Sequence, residues 1–430
     1  MFRTLSNLMR VADIRRKILF TLAILVVFRL GTFIPVPFSD KEALTMMNDV
    51  NAFGFIDTFG GGALSQFSVF AMGVFPYITA AIIMQLLQMD VVPKFTEWRK
   101  QGEMGRRKLA QFTRYFTVIL AFIQAIGMSI GFNYMTEGAL ISNPSPMTYF
   151  IIAVVLTGGT TFLMWLGEQI TEFGVGNGIS ILIFAGIVAG IPNSVNQLWE
   201  QYIAGSGDQL FINLAILGII LLVVIAVIVG VIFIQQALRK IPIQYAKRTV
   251  NRSPVGGQST HLPLKVNAAG VIPIIFAISF IVAPQTIAGF FEGNEFAATM
   301  QWIFDYNEPV GMVLYFALII AFTYFYTFVQ VNPEQMAENL QKQGGYVPGI
   351  RPGKNTETYL TRVMYRLTFV GALFLAVVAI FPIILGGIAN LPAAVQIGGT
   401  SLLIVVGVAL NTMKQLESQL VKRHYRGFIK

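Results

Sequence analysis

Ten stretches of the chain are apolar and long, and each is closed off by charges, glycines or prolines. They run Ile18–Ile34, Phe70–Leu87, Phe112–Gly131, Tyr149–Leu166, Gly178–Ile191, Ile212–Ile234, Ala268–Ile287, Val310–Val329, Leu367–Ile388 and Ala393–Met413. A helix needs about 20 residues to cross a bilayer, so the pattern predicts ten transmembrane helices. Gly178–Ile191, with 14 residues, is the shortest. The first stretch outruns the roughly 7–15 apolar residues of a secretory leader. It leads to Pro35 and Pro37 without a small-residue cleavage site, so it is expected to remain as a span.

Composition and charge sharpen this picture. Of 430 residues, 55% are hydrophobic and 12% charged. A soluble domain carries about 25% charged residues, so an ordinary cytosolic enzyme, a disordered tail protein and a fibrous protein are excluded. Cysteine is absent, which removes disulfides, thiolate metal sites and cysteine nucleophiles together. The net charge is +9, and 28 of the 30 Lys and Arg residues fall in 1–17, 88–114, 235–267, 330–366 and 414–430. The alternate loops hold Lys41 against eleven carboxylates: Asp40, Glu42, Asp49, Asp57, Glu137, Glu200, Asp208, Glu292, Glu295, Asp305 and Glu308. The positive-inside rule therefore places both termini and the long basic loops in the cytoplasm, as an even number of spans requires. Residues 167–177 should also be cytoplasmic, yet they carry Glu168 and Glu172 and no base. Carboxylates weigh little in topology, so the assignment holds.

Some segments are more than connections. Asp57–Ser68 (DTFGGGALSQFS) is too short to span, rich in glycine and joined directly to a span. A surface loop on the outer face is the reading its composition favours; the alternative is a re-entrant half-helix occupying a pathway. In the loop after the sixth span, Ile241–Val250 and Ser259–Val266 are β-prone and flank Gly256-Gly257, which predicts a hairpin finger. After the eighth span, Asn332-Pro333-Glu334 predicts a capped short helix that ends near Gly344-Gly345. A turn, YVPGIRPG, then presents Arg351, and a new helix starts near Thr356. Basic projections of this length suit phosphate-rich or acidic partners such as ribosomal RNA or an acidic motor surface.

Catalytic signatures are missing. There is no GxxxxGK[ST] run and no HExxH, and the two histidines, His261 and His424, are far apart in sequence. No metal or cofactor is expected. Apart from Arg114, the third residue of Phe112–Gly131, Arg29 is the sole charge inside a predicted span; it lies toward the outer end, where snorkelling to the interface accounts for it. A proton-driven transporter places Asp, Glu or His at the midplane, and none is found there. Sodium coupling through backbone carbonyls keeps a ten-span solute transporter as an alternative. Gly73, Pro76, Gly158, Gly159, Gly186, Gly270 and Pro273 mark close helix packing, and Gln85 and Asn267 are polar groups that need partners.

The stretches FAMGVFPYITAAIIMQLLQ, GEMGRRKLAQFTRYFTV, WLGEQITEFGVGNGISILIFAGIVAG, QSTHLPLKVNAAGVIPIIFA and YVPGIRPGKNT together closely resemble the bacterial SecY family, channel subunits of the protein-secretion translocon. The likeness runs from RRKILFTLAILVVFRLGTFIPVP to GGTSLLIVVGVALNTM, nearly the whole chain. It implies an all-α fold of two pseudo-symmetric five-span halves, residues 1–191 and 192–430, hinged between the fifth and sixth spans. Residues 57–68 would then be a plug, with Phe59, Gly60, Gly61, Gly62, Ala63, Leu64 and Ser65 at its heart, against the reading from composition. Val74, Ile78, Ile179, Ile183, Ile275 and Ile404 match an aliphatic pore ring. Gln85 and Asn267 match the polar pair of a lateral gate between spans two and three and spans seven and eight. Loops 235–267 and 330–366 would dock partners through Lys247, Arg248, Arg252, Arg351 and Lys354. The implied partners are SecE, SecG, the motor ATPase SecA, the ribosome, a translocating polypeptide with its signal sequence, and the lipid bilayer. The implied activity is passive conduction of polypeptides across, and of helices laterally into, the cytoplasmic membrane.

Overall fold

The computed structural model describes residues 11–40, 57–89, 91–136, 138–204, 210–245, 248–250, 253–255, 259–288, 295–389 and 393–426. Helices dominate, and they fall in chain order into two groups. The first group holds α1 (Ala12–Gly31), α2 (Phe75–Leu87), α3 (Pro93–Lys100), α4 (Glu103–Met135), α5 (Pro146–Phe173) and α6 (Gly178–Trp199). The second begins with α7 (Leu210–Gln236), followed by strands β1 (Leu238–Tyr245), β2 (Arg248–Val250), β3 (Ser253–Val255) and β4 (Ser259–Lys265). It continues through α8 (Ile272–Ala288), α9 (Glu295–Phe304), α10 (Pro309–Gln330), α11 (Pro333–Lys342), β5 (Gly345–Tyr346), α12 (Lys354–Ala389) and α13 (Ala393–Arg426).

By length and apolar content, seven of these helices (α4, α5, α6, α7, α10, α12 and α13) are able to cross a membrane. The other three predicted spans are shorter or more charged. α1 has 20 residues but carries Asp13, Arg15, Arg16 and Lys17 near its start and Arg29 in its last turn. α2 has 13 residues because the chain stays in turns through residue 74; Gly73 is left-handed at φ +56° and Pro76 opens the helix. α8, with 17 residues, likewise starts after a turn in which Gly270 has φ +67°. The fifth span corrects the expectation in the other direction. α6 runs for 22 residues, through Pro192, and a π-helical turn, Glu200–Ala204, continues it.

Within the first group α4 and α5 pack together, α2 lies on α4, and α1 and α6 both lie on α5. In the second, α7, α13, α12, α10 and α8 follow one another side by side. The groups meet along two seams: α6 against α13, and α2 with α4 against α8. Threonine and serine hydroxyls inside the spans donate back to the carbonyl one turn earlier, as Thr117 does to Thr113 (2.7 Å), Thr157 to Ala153 (2.7 Å) and Ser279 to Ile275 (2.8 Å). These three hydroxyls are thereby satisfied, whereas Ser401 Oγ of α13 is buried without a hydrogen-bond partner among the described residues. α7 is the most apolar and the least buried of these seven helices.

The loop with Glu168 and Glu172 is shorter than its sequence implies, because α5 continues to Phe173. Glu168 accepts from Arg114 of α4 at 2.6 Å, so its counter-charge comes from the neighbouring helix.

Candidate functional site

Residues 57–74 form irregular backbone packed inside the first helical group. Residues 57–60 make one helical turn, closed by Gly62 N–H donating to the Asp57 carbonyl (2.9 Å). Gly61 and Gly62 then turn left-handed, at φ +69° and +83°, which a residue with a side chain rarely does. The Asp57 carboxylate ties the far end down: Oδ1 accepts from Leu64 N–H (3.0 Å) and Ser65 N–H (2.9 Å), and Oδ2 accepts from the Ser65 hydroxyl. The segment thus satisfies much of its own backbone, the condition for non-helical chain in an apolar body.

Its seat is built from small residues. A Cβ on Gly186 of α6 would overlap the Phe59 carbonyl, and one on Gly61 would stand 3.1 Å from Gly186 Cα. Phe59 is buried and stacks on Phe75, ring centroids 5.9 Å apart. Ala63 and Leu64 are buried in the same apolar core. Further along, Val36 N–H donates to the Phe67 carbonyl (3.0 Å) and Val69 N–H to the Ile34 carbonyl (2.9 Å), pinning the segment to the end of α1. Gly31 gives way to Phe70, and Gly159 of α5 to the Val69 carbonyl. Segment 57–68 is therefore an inserted element and not a surface loop, as the resemblance implies and composition alone does not.

Arg29 takes part, which the sequence did not signal. Its Nη1 donates to the Gly61 carbonyl, and its guanidinium lies over the Phe33 ring at 4.7 Å. Snorkelling is thus replaced by a contact inside the protein.

Of the expected ring, Val74 precedes α2, Ile78 lies on α2, Ile179 and Ile183 on α6, Ile275 on α8 and Ile404 on α13. Val74, Ile78, Ile183, Ile275 and Ile404 are buried and share one apolar cluster with Phe59, Ala63 and Leu64. Ile179 is half-buried, and its Cδ1 fills the space beside Gly167 of α5. Those elements are the ones that meet at the two seams, α6 with α13 and α2 with α8. Gln85 and Asn267 are not joined. Asn267 spends its amide on its own turn, donating to the Gly270 carbonyl (2.9 Å) and accepting from Gly270 N–H (2.9 Å). Gln85 Oε1 is buried without a hydrogen-bond partner among the described residues.

The two basic loops make one body. β1 pairs antiparallel with β4, Ile241 opposite Leu262, and β5 pairs with the outer edge of β1, Gln244 opposite Tyr346. β2 and β3 pair antiparallel with Val250 opposite Ser253, and Gly256-Gly257 lie outside the described residues. Asn332 caps α11 as expected, accepting from Glu334 N–H at 3.0 Å. Ile241, Ile243, Leu264, Ala337, Leu340, Val347, Leu360 and Met364 form a separate small core beneath them. Arg351 is exposed on the turn between β5 and α12, where Gly349 and Gly353 have φ +81° and +97°, and exposed Lys354 opens α12. Arg248 lies on β2; Lys247 and Arg252 lie outside the described residues.

Residues 68–413 match the family model described as SecY. A protein translocase subunit SecY of Halalkalibacterium halodurans is 66% identical over 433 residues, covering 100% of both chains. A solved protein-conducting channel is 21% identical with a TM-score of 0.61, covering 95% of this chain and 93% of that one. A second solved chain is a SecY protein whose plug domain stabilises the closed state of the translocation channel and maintains a membrane seal. It is 20% identical with a TM-score of 0.60, covering 95% of this chain and 92% of that one.

Proposed function

The chain belongs to the SecY family, and from that premise we propose that it is the central protein-conducting subunit of a bacterial translocase. The observation that carries this reading is the inserted segment 57–68, a glycine-rich element held on α1, α2 and α6 by side-chain absence and by reversible hydrogen bonds. Such an element is a closed state that can be left, and the ring residues Val74, Ile78, Ile183, Ile275 and Ile404 are buried in the apolar core that also holds Phe59, Ala63 and Leu64. Aliphatic side chains from several helices make a constriction that excludes water at rest and seals a moving peptide without binding its sequence. Residues 1–191 and 192–430 act as the two halves, and the seam of α2 and α4 against α8 is the lateral gate through which a hydrophobic helix passes into lipid.

The protein has no ATP site of its own, and SecA or a translating ribosome supplies the energy. The platform of β1, β4, β5 and α11, with its own apolar core, supports this: it presents Arg351 on a rigid turn and Lys354 at the start of α12. SecE and SecG complete the complex in the bacterial cytoplasmic membrane, with both termini of the chain on the cytoplasmic side. Family membership sets aside the solute transporter.

Reconstitution with SecE, SecG and SecA in proteoliposomes tests the proposal. A secretory precursor becomes protected from external protease only with ATP. Equal protection in vesicles lacking the chain would refute it.

A further inference from the structure

Arg29 is a charge on the last turn of α1 that makes no ion pair among the described residues. A guanidinium carries five donors and is costly in apolar surroundings, so its position has to be supported by acceptors or by an aromatic face. The structure supplies both: the Gly61 carbonyl accepts from Nη1, and the Phe33 ring lies 4.7 Å beneath. Gly61 is enclosed from two sides. A Cβ there would stand 3.5 Å from Arg29 Nη1 and 3.1 Å from Gly186 Cα. The ties from the Asp57 carboxylate to Leu64 and Ser65 are internal to this turn and would move with it.

We propose that Arg29 is the positioning residue of the closed channel: a latch that holds the plug through the Gly61 carbonyl. The inference rests on the reading of residues 57–68 as a plug and adds what keeps that plug in place. The apolar seat on α6 is non-directional and tolerates small shifts, whereas a charged donor clamped by Phe33 fixes one carbonyl in one place. Leaving the seat strips Arg29 of that acceptor, so the cost of opening includes this bond. A hydrogen bond to a charged group shifts an equilibrium by roughly tenfold or more, and the idle open fraction should respond on that scale.

The test uses the full chain assembled with its partner subunits in planar bilayers, with and without residues Phe59–Ser65. Arg29→Gln should raise idle ion conductance roughly tenfold in the intact channel. It should admit precursors with defective signal sequences, and it should add nothing in the channel lacking the segment, because residues acting through one element are not additive. Arg29→Lys, which donates without the planar fork, should fall between wild type and Arg29→Gln. Where Arg29→Gln fails to assemble, Phe33→Ala, at an exposed position, should give a smaller rise that also vanishes without the segment. Wild-type conductance in these variants, or an equal rise in the channel lacking the segment, would overturn the latch while leaving the plug. If deleting the segment left conductance unchanged, the plug reading would fall and the latch with it.

Discussion

At Gly186 the place of a side chain is taken by the Phe59 carbonyl, so the seat of segment 57–68 is made by missing atoms. The sequence shows a small residue inside a span and hence a close approach, but it does not show which backbone approaches. The same holds for Arg29, whose partner Gly61 is 32 positions away. Replacing Gly186 by Val should force the plug out of register, and overpacking of this kind costs about 1–3 kcal/mol. The expected result is an assembled protein with raised idle conductance, measured alongside its thermal midpoint in detergent; unchanged conductance would show that the plug does not rest there. Ile183 and Ile404 are both buried, as ring residues and ordinary packing residues alike would be. Asparagine at both positions separates the roles. A wet-facing ring predicts ion leakage from a protein that still assembles, whereas a packing role predicts loss of the fold without leakage.

Among elements, the hairpin finger was legible and its register was not. The sequence shows two β-prone runs but not how they align; β1 pairs with β4 so that Gln244 faces Ser259. The reason is burial. Ile241 and Ile243 point to one face and fill the core with Ala337 and Leu340; a slip by one residue would put Lys240 and Pro242 there instead. Tertiary packing from α11 and β5 sets the register, and no local pattern contains it. The late starts of α2 and α8 were half legible, since Gly73, Pro76 and Gly270 were visible breakers inside apolar runs. For the platform as an element, Arg351→Glu should leave folding and membrane insertion intact, since exposed changes usually stay within about 0.5 kcal/mol. It should abolish SecA-driven translocation, because charge reversal against an acidic partner acts on docking. Precursor protection measured at equal protein abundance checks this, and normal protection would remove Arg351 from the docking surface.

For the whole molecule, the charge pattern and ten apolar runs were enough to predict a polytopic helical protein, because membrane solvation writes itself into composition. What the sequence alone left open is how two groups of helices meet. The seams of α6 with α13 and of α2 and α4 with α8 bring together residues such as Ile78 and Ile275 that lie some 200 positions apart. The central claim is that a polypeptide passes between these groups, through the ring. The most direct measurement is a crosslink from Ile275→Cys to a translocating chain stalled at a defined length, in the reconstituted complex with SecA and ATP. The account predicts a crosslink only to the stalled segment, present with ATP and lost when the chain is released. A stalled chain that crosslinks to cysteines on the exposed face of α7 and never to Ile275→Cys would contradict it.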